Sequence, residues 1–257
     1  MTLFADLHHR DTPLLLPNAW DHASAAALAA QGFEAVGTTS LGVAAAAGLP
    51  DGAGVTRDAT LSLALALGSG PFLLSVDAEG GFGDDPDEVA EVACELAAAG
   101  AAGINLEDGL GSVSRHAAKI AAVKAAVPGL FVNARTDTYW LGDGDESDTY
   151  RRLDAYQQAG ADGVFVPGLV DEKRIVTLVK SLDVPLNILY SPSGPTVTRL
   201  GDLGVRRVSL GSLLYRRALG AALETAADIR AGRRPRGTAA AYDEVEALSQ
   251  PSEVSSW

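Results

Sequence analysis

Residues 86–109, PDEVAEVACELAAAGAAGINLEDG, contain the pattern that decides the fold. This segment predicts a helix over Pro86–Ala99, a glycine at position 100 that ends the helix, and a short buried strand over Gly103–Leu106. Parallel strands are joined by helical crossovers, so a helix that leads through a glycine into an apolar strand is one unit of a parallel α/β sheet.

The same unit recurs along the chain. Short apolar runs predict strands over Leu14–Leu16, Ala35–Thr38, Phe72–Asp77, Gly103–Leu106, Leu130–Ala134, Gly163–Val166, Leu186–Leu189 and Arg207–Leu210. Amphipathic stretches between them predict helices over Ala23–Gln31, Pro86–Ala99, Val113–Ala126, Glu146–Ala159, Asp171–Leu182, Pro195–Leu203 and Leu213–Ala231. Eight such strands in 257 residues favour a closed (β/α)₈ TIM barrel over an open sheet.

Three segments lie outside this repeat. Leu41–Arg57 is predicted to be a loop rich in glycine and alanine, and residues 143–148 form an acidic loop before a helix. From Gly232 the composition changes, and a short helix is predicted around Ala239–Leu248, before a loose terminus. We therefore expect one barrel domain over residues 1–257 with a C-terminal helical extension.

Composition excludes several classes of function. With 33 acidic and 20 basic residues the net charge is −13, which argues against a broad basic face for nucleic acid or for a membrane surface. Cys94 is the single cysteine, so no intramolecular disulfide forms, and its place among Val and Ala predicts a small core residue. The apolar run Ala59–Leu67 is too short to span a bilayer, and no signal peptide is recognisable. These features predict a soluble, cytoplasmic protein.

Polar residues follow several of the predicted strands. Functional groups of a TIM barrel lie at the C-terminal ends of its strands, so these positions are the candidates for a site. Asp77 and Glu79 are two residues apart, which would place both carboxylates on one side of an extended strand, beside Glu107 from the neighbouring strand. The other strand-end or loop candidates are Asn18, Asp21, Asp51, Asp108, Asn133, Arg135, Asp137 and Asn187.

Clustered carboxylates repel one another unless a cation, a proton or an arginine lies between them. A set of oxygen ligands without cysteine suits a hard ion, and Mg²⁺ that keeps several waters is the first choice. Arg135 could bind a carboxylate or phosphate oxygen pair of a ligand. The alternative for each acid taken singly is that it caps a helix or pairs with an arginine.

Five ordered segments resemble the isocitrate lyase/phosphoenolpyruvate mutase superfamily. They are PNAWDHASAAALAAQGFEAV (17–36), GTTSLGVAAAAGLPDG (37–52), SVDAEGGFGDDPDEVAE (75–91), GINLEDG (103–109) and VNARTDTY (132–139). The resemblance implies a (β/α)₈ barrel that forms a homodimer or homotetramer by exchange of a C-terminal helix. It also implies that Mg²⁺, or Mn²⁺ in its place, holds an α-keto or α-hydroxy acid and stabilises an enolate of the pyruvate type.

The resemblance also assigns roles to individual positions. The acids that match the family's metal shell, with Asp77 binding most directly and the others largely through water, are Asp51, Asp77, Glu79 and Glu107. The residues that match the loop holding the substrate carboxylate through its backbone and a hydroxyl are Thr39, Ser40 and Leu41. Arg135 matches the arginine that binds substrate oxygens, and Asn187 matches an amide near the substrate.

The sequence departs from the superfamily in the segment after Glu107. Lyases carry a Lys-(Lys/Arg)-Cys-Gly-His run there, and phosphoenolpyruvate mutases carry a lysine and an asparagine. This chain has GLGSVSRHAAK at residues 109–119, without the cysteine and without a lysine or asparagine at the matching places. The proton donor would then come from Ser112, Ser114, Arg115 or His116, and we take His116 and Arg135 as the catalytic candidates.

The leading hypothesis is a Mg²⁺-dependent lyase that cleaves or decarboxylates a small oxoacid through a pyruvate enolate. The alternative reaction is P–C bond chemistry of the phosphoenolpyruvate mutase, phosphonopyruvate hydrolase or carboxyphosphonoenolpyruvate mutase type. A third hypothesis is a relative that binds the oxoacid without turning it over.

Overall fold

Nine parallel strands form one sheet within residues 2–248, which are the residues that the computed structural model describes. The strands are β1 (Leu14–Leu16), β2 (Asn18–Ala19), β3 (Ala35–Thr38), β4 (Leu73–Asp77), β5 (Ala101–Glu107), β6 (Phe131–Arg135), β7 (Gly163–Val166), β8 (Leu186–Leu189) and β9 (Arg207–Ser209). Their order is β1-β9-β8-β7-β6-β5-β4-β3-β2, so neighbours in space follow the order of the chain. The predicted TIM barrel is confirmed.

The barrel closes where Pro17 divides the first strand in two. Leu14–Leu16 pairs with β9, and Asn18–Ala19 pairs with β3. Proline has no backbone N–H for a sheet hydrogen bond, but the carbonyl of Pro17 still accepts from Gly37 N at 2.8 Å. β1 and β2 are therefore two halves of one bent strand, and the sequence predicted the first half alone.

Helices cover the outside of the barrel. They are α1 (Leu3–Leu7), α2 (His22–Ala30), α3 (Ser40–Ala47), α4 (Arg57–Leu67), α5 (Pro86–Ala98), α6 (Val113–Ala126), α7 (Glu146–Gln158), α8 (Glu172–Ser181), α9 (Val197–Asp202), α10 (Leu213–Arg230) and α11 (Tyr242–Ala247). α11 lies in the predicted C-terminal extension, and residues 249–257 of the predicted loose terminus lie outside the described part of the chain.

Two predictions about this outer layer are wrong. Leu41–Arg57 is not a continuous loop, since α3 occupies Ser40–Ala47, a stretch of small residues that packs closely through Val43 and Ala44. Cys94 is exposed rather than buried, because it lies on α5 away from the face that Val92, Ala93 and Leu96 bury.

α1 closes the N-terminal end of the barrel. Phe4 and Leu7 form a separate apolar cluster with Leu16 and Phe131. His8, at the end of α1, stacks on Phe131 with 4.3 Å between ring centroids and bonds through Nδ1 to the carbonyl of Phe4 at 2.9 Å. Ligands therefore have access to the opposite end of the barrel, where the strands terminate.

α10 differs from the other long helices. Its first turn contacts the barrel through Tyr215, whose ring lies edge-on to Trp20 with centroids 5.4 Å apart. Farther along, Leu219, Leu223 and Ile229 are exposed. None of the helices within residues 2–248 combines the length and hydrophobicity needed to cross a membrane.

Candidate active site

β4 places Asp77 at the C-terminal end of the barrel. The Asp77 carboxylate accepts a hydrogen bond from Ser40 N at 3.1 Å, and Asp77 N donates to Thr38 Oγ1 at 2.8 Å. These bonds connect the end of β4 to the end of β3 and the beginning of α3. The N–H groups of Leu41 and Gly42 lie in the first turn of α3, where the helix leaves N–H groups without intrahelical partners.

Glu79 faces the loop after α3 instead of lying beside Asp77 on a strand. Its backbone is left-handed, with φ of 47°, so the alternation of an extended strand ends before it. The buried carboxylate accepts from Gly54 N at 3.1 Å and from the Thr56 hydroxyl. The prediction that Asp77 and Glu79 share one side of a strand is therefore wrong, because β4 ends at Asp77.

Arg135 pairs with Glu107 across neighbouring strands. The two residues are in register on β6 and β5, and Arg135 Nη1 lies 2.7 Å from Glu107 Oε2. Arg135 Nε donates to Asp137 Oδ1 at 2.7 Å, and the guanidinium lies over the ring of Phe165, 5.8 Å from its centroid. The arginine is thus held in one orientation between two carboxylates.

Crowding of negative charge affects Glu107 most. Burial raises the pKa of Glu107 to about 8; Arg135 acts in the opposite direction, and the nearby carboxylates of Asp77, Asp137 and Glu79 add to the rise. Burial also raises the pKa of Asp137, whose Oδ2 has no hydrogen-bond partner within residues 2–248. A cation placed among these groups would favour their charged forms.

The donor set fits a hydrated Mg²⁺ better than a fully protein-bound ion. Within residues 2–248, no three acidic, histidine or cysteine side chains converge closely enough to ligate one ion directly. Mg²⁺ usually keeps several waters and takes only one or two carboxylates from a protein. Among the described residues Asp77 accepts one hydrogen bond, at Oδ2 from Ser40 N, so its carboxylate suits a direct contact. Both oxygens of Glu79 accept from the protein and Glu107 pairs with Arg135, so these two acids suit contact through water.

The structure does not bring every predicted residue into this group. Asp51 is exposed, in the loop after α3. Thr39 is the buried N-cap residue of α3, and Ser40 and Leu41 form its first turn instead of a loop. Asn187 lies inside the barrel, where it exchanges hydrogen bonds with Ser209 at 3.0 and 3.2 Å.

A buried arginine lies beneath the acids. Arg207 donates to Ser75 Oγ at 3.3 Å and to Asn105 Oδ1 at 3.1 Å, and its Nη1 has no partner in the described part of the chain. Ser75 and Asn105 precede Asp77 and Glu107 by two residues, so this guanidinium lies one layer farther into the barrel. Burial lowers the pKa of Arg207 to about 9, which leaves it charged at neutral pH.

Asp108 organises the segment after β5. Its Oδ2 accepts from Tyr156 OH at 2.7 Å and from Arg152 Nη1 at 2.9 Å, and its Oδ1 accepts from Leu110 N at 3.0 Å. Both side chains of the Asp108–Arg152 pair are nearly inaccessible to solvent. Asp108 therefore connects the end of β5 to α7. For this acid the structural alternative holds, in which a strand-end carboxylate pairs with an arginine.

His116 lies in α6, whose predicted bounds Val113–Ala126 are confirmed. Its buried ring is edge-on to Tyr156, with centroids 4.6 Å apart, and Nε2 has no hydrogen-bond partner among the residues that the structure describes. Burial lowers the pKa of His116 to about 4, so the imidazole is neutral at neutral pH. The residue is therefore fixed in a helix.

A cleft of about 250 Å³ extends from Glu107 to the first turns of α6, and Gly52, Gly80, Arg115 and His116 form part of its wall. Lys119, in its floor, donates to the carbonyls of Gly80 at 2.9 Å and Gly83 at 2.7 Å. Lys119 thus holds the glycine-rich segment that follows the acids.

The sequence did not identify Thr56, Lys119 or Arg207 as parts of this region. A charged residue within an otherwise apolar strand, as in RRVSL at residues 206–210, is a signal that would have found Arg207. No local pattern reveals Thr56 or Lys119, because each acts through a segment far away in sequence.

Comparison with known proteins establishes the class. The model of the phosphoenolpyruvate phosphomutase family matches residues 4–230, so the chain belongs to this family, within the phosphoenolpyruvate mutase/isocitrate lyase superfamily of lyases and phosphomutases.

Three relatives show how far the similarity extends. An uncharacterized protein of Mycobacterium tuberculosis is 46% identical over 234 residues, or 89% of each chain. An oxaloacetate decarboxylase of Pseudomonas paraeruginosa is 30% identical over 201 residues, which cover 70% of this chain and 67% of the relative. The crystal structure of a candidate lyase/mutase from Burkholderia cenocepacia is 35% identical, with a TM-score of 0.86, over 96% of this chain and 95% of that chain.

Proposed function

We propose that the protein is a Mg²⁺-dependent enzyme that cleaves a C–C bond of a small α-keto or α-hydroxy (di)carboxylate through an intermediate resembling the enolate of pyruvate. The observation that carries the proposal is the position of Arg135 between Glu107 and Asp137, beside Asp77 at the end of the barrel. A cation held near acids can neutralise negative charge that develops on a substrate oxygen.

Members of the superfamily generally depend on Mg²⁺. In this chain Asp77 is the proposed direct ligand, and Glu79, Glu107 and the exposed Asp51 are the proposed partners of its waters, with Mn²⁺ as the alternative ion. When bound, the ion would polarise the oxo group of the substrate.

The substrate carboxylate is proposed to bind at the beginning of α3. The free N–H groups of Leu41 and Gly42 and the helix dipole favour an anion there, and the hydroxyls of Thr39 and Ser40 lie beside them. Ser40 N is already bonded to Asp77, so it orients that acid and does not bind the substrate.

Arg135 is proposed to bind the oxo or enolate oxygen. In a decarboxylation, the electron pair of the breaking C–C bond moves into the enolate, carbon dioxide leaves, and a proton then adds to the carbon. The fixed guanidinium needs little reorganisation as the oxygen gains charge. His116 is the proposed route for the proton, since its neutral ring forms part of the same cleft.

The oxaloacetate decarboxylase relative makes oxaloacetate the first substrate to assay. Because free Mg²⁺ also decarboxylates oxaloacetate slowly, we expect the protein to form pyruvate and carbon dioxide faster than Mg²⁺ alone, and excess chelator to abolish this acceleration. The proposal fails if the protein converts none of the candidate acids, which are oxaloacetate, malate, 2-methylisocitrate and related compounds. In that case a ligand that still raises the melting temperature would support the non-catalytic, oxoacid-binding alternative.

P–C bond chemistry is the second candidate, because the family match is to phosphoenolpyruvate phosphomutase. Residues 109–119 lack a lysine and an asparagine at the places matching that reaction. Phosphorus-31 NMR on phosphonopyruvate and phosphoenolpyruvate distinguishes the candidates, since new phosphorus signals would favour the second and unchanged signals the first.

The protein is also proposed to form a homodimer or homotetramer by exchange of its C-terminal helix. Support comes from α10, which leaves Leu219, Leu223 and Ile229 exposed after its contact with the barrel. Apolar side chains repeated on one long helix indicate a surface for another chain.

A further inference from the structure

The cleft beside Glu107 has two cationic side chains in its wall, and they differ in their bonds to the protein. Lys119 is committed to the protein, because its ammonium group donates to the carbonyls of Gly80 and Gly83. Arg115, in the first turn of α6, has one charged contact among the described residues, at 3.7 Å between its Nη1 and Asp84 Oδ2. Arg115 is therefore the cation that a ligand in this cleft could engage.

The Arg115–Asp84 pair is weak on physical grounds. The two side chains are 60% and 87% exposed, and the distance exceeds that of a charge-assisted hydrogen bond. Exposed pairs of this kind contribute little to stability, because water and salt screen both charges. A planar carboxylate or phosphonate that presents two oxygens to the guanidinium would compete well with Asp84.

The position of the pair relates it to the proposed reaction. Glu107 forms one side of the cleft and bonds to Arg135, whereas Asp84 and Arg115 lie on the glycine-rich segment and on α6. Glu107 belongs both to the wall of the cleft and to the ion pair with Arg135, so a substrate whose oxo group is at Arg135 lies beside this cleft. The other end of such a substrate then meets the guanidinium of Arg115, whose partner Asp84 is exposed and can be displaced.

We infer that Arg115 is a specificity-determining residue that binds a second anionic group of the substrate, with Asp84 as the competing partner that the group displaces. The inference rests on the proposed function and restricts it to substrates with an anionic group at both ends. A second carboxylate and a phosphonate share the required chemistry.

The test compares Mg²⁺-dependent binding of malate, which has a second carboxylate, with that of lactate, which lacks it. Calorimetry is run on the full chain as wild type, Arg115→Gln, Asp84→Asn and Arg199→Gln, the last being an exposed arginine paired with Glu172 away from the cleft. We expect Arg115→Gln to weaken malate binding about tenfold and lactate binding less than twofold. Asp84→Asn should tighten malate binding about threefold, because the competing carboxylate is removed, and Arg199→Gln should change neither.

Equal effects of Arg115→Gln on malate and lactate, or none on either, would overturn the inference. Oxalate, which imitates the pyruvate enolate and has no distal group, serves as the separate check on the proposed function. If oxalate binds with Mg²⁺ while the malate-to-lactate ratio is unaffected by Arg115→Gln, the inference alone fails. If oxalate does not bind, the proposed function fails. Phosphonopyruvate in place of malate shows which anionic group Arg115 prefers.

Discussion

Arg135 and Glu107 are in register on adjacent strands, and Arg135 Nη1 lies 2.7 Å from Glu107 Oε2. This ion pair neutralises part of the negative charge at the end of the barrel. It also leaves Glu107 close enough to Asp77, Asp137 and Glu79 for its pKa to rise to about 8. A further positive charge among these acids would favour their charged forms.

The first prediction concerns Arg135. Replacing it with Met should weaken Mg²⁺-dependent oxalate binding by a factor of ten to a hundred, because a charge-assisted hydrogen bond contributes about 1.5–3 kcal/mol. Arg135→Lys should give an intermediate loss, since it keeps the charge without the paired N–H groups. Calorimetry measures both, and normal oxalate affinity in Arg135→Met would remove Arg135 from the substrate site.

The second prediction concerns Asp77. Asp77→Asn should lower Mg²⁺ affinity at least tenfold, because the amide keeps the shape of the side chain but loses its charge. Asp58→Asn is the matched control, since Asp58 is almost fully exposed on α4. Mn²⁺ binding followed by electron paramagnetic resonance measures the affinity directly. Equal binding by both variants would contradict the proposed ligand.

The sequence predicts the barrel well because its strands are buried on both sides. Three strands have the predicted bounds: Leu14–Leu16, Gly163–Val166 and Leu186–Leu189. A short apolar run between turn residues is typical of a buried strand. α3 was missed because its small side chains form no amphipathic pattern: the alanines favour a helix, but they do not mark a buried face. The close packing of Val43 and Ala44 stabilises the helix.

The site was harder to predict than the fold. Arg135 and Glu107 could be found because each ends a strand, whereas the bonds that occupy Glu79 come from Gly54 and Thr56 on a different segment. A strand end can be recognised from the residues next to it in the sequence. The partners of a side chain depend on how distant segments pack, and one sequence does not reveal them.

The third prediction concerns the buried pair of Asp108 and Arg152. Asp108→Asn should lower the free energy of unfolding by about 2–4 kcal/mol, because it removes one member of a buried ion pair and weakens the bond from Tyr156. Asp154→Asn is the control, because Asp154 is exposed on α7, the helix that contains Arg152. Urea unfolding measures both, and similar stabilities would show that Asp108 does not hold α7.

The fourth prediction concerns pH. Burial, with the Arg207 charge acting in the same direction, lowers the pKa of His8 to about 3 from a usual value near 6.5. The unfolded chain then binds more protons than the folded chain between these values, so the contribution of His8 is complete above pH 6.5 and is lost as the pH falls toward 3. His8→Phe should therefore reduce the loss of melting temperature between pH 6.5 and 5.

His9→Phe is the control for that measurement, because His9 is adjacent but exposed. Differential scanning calorimetry at several pH values compares the slopes. If the melting temperature depends on pH equally in wild type and His8→Phe, then His8 binds a proton as readily in the folded chain as in the unfolded chain.

The last prediction concerns the exposed face of α10. Leu219 and Leu223 are four residues apart, so they lie on one side of the helix, and both are substantially exposed. Leu223→Asp would place a charge in the proposed interface and should convert the oligomer to a monomer at micromolar concentration. Leu65→Asp, at a similarly exposed leucine of α4, should leave the mass unchanged. Sedimentation equilibrium measures both, and a wild type that is itself monomeric would refute helix exchange.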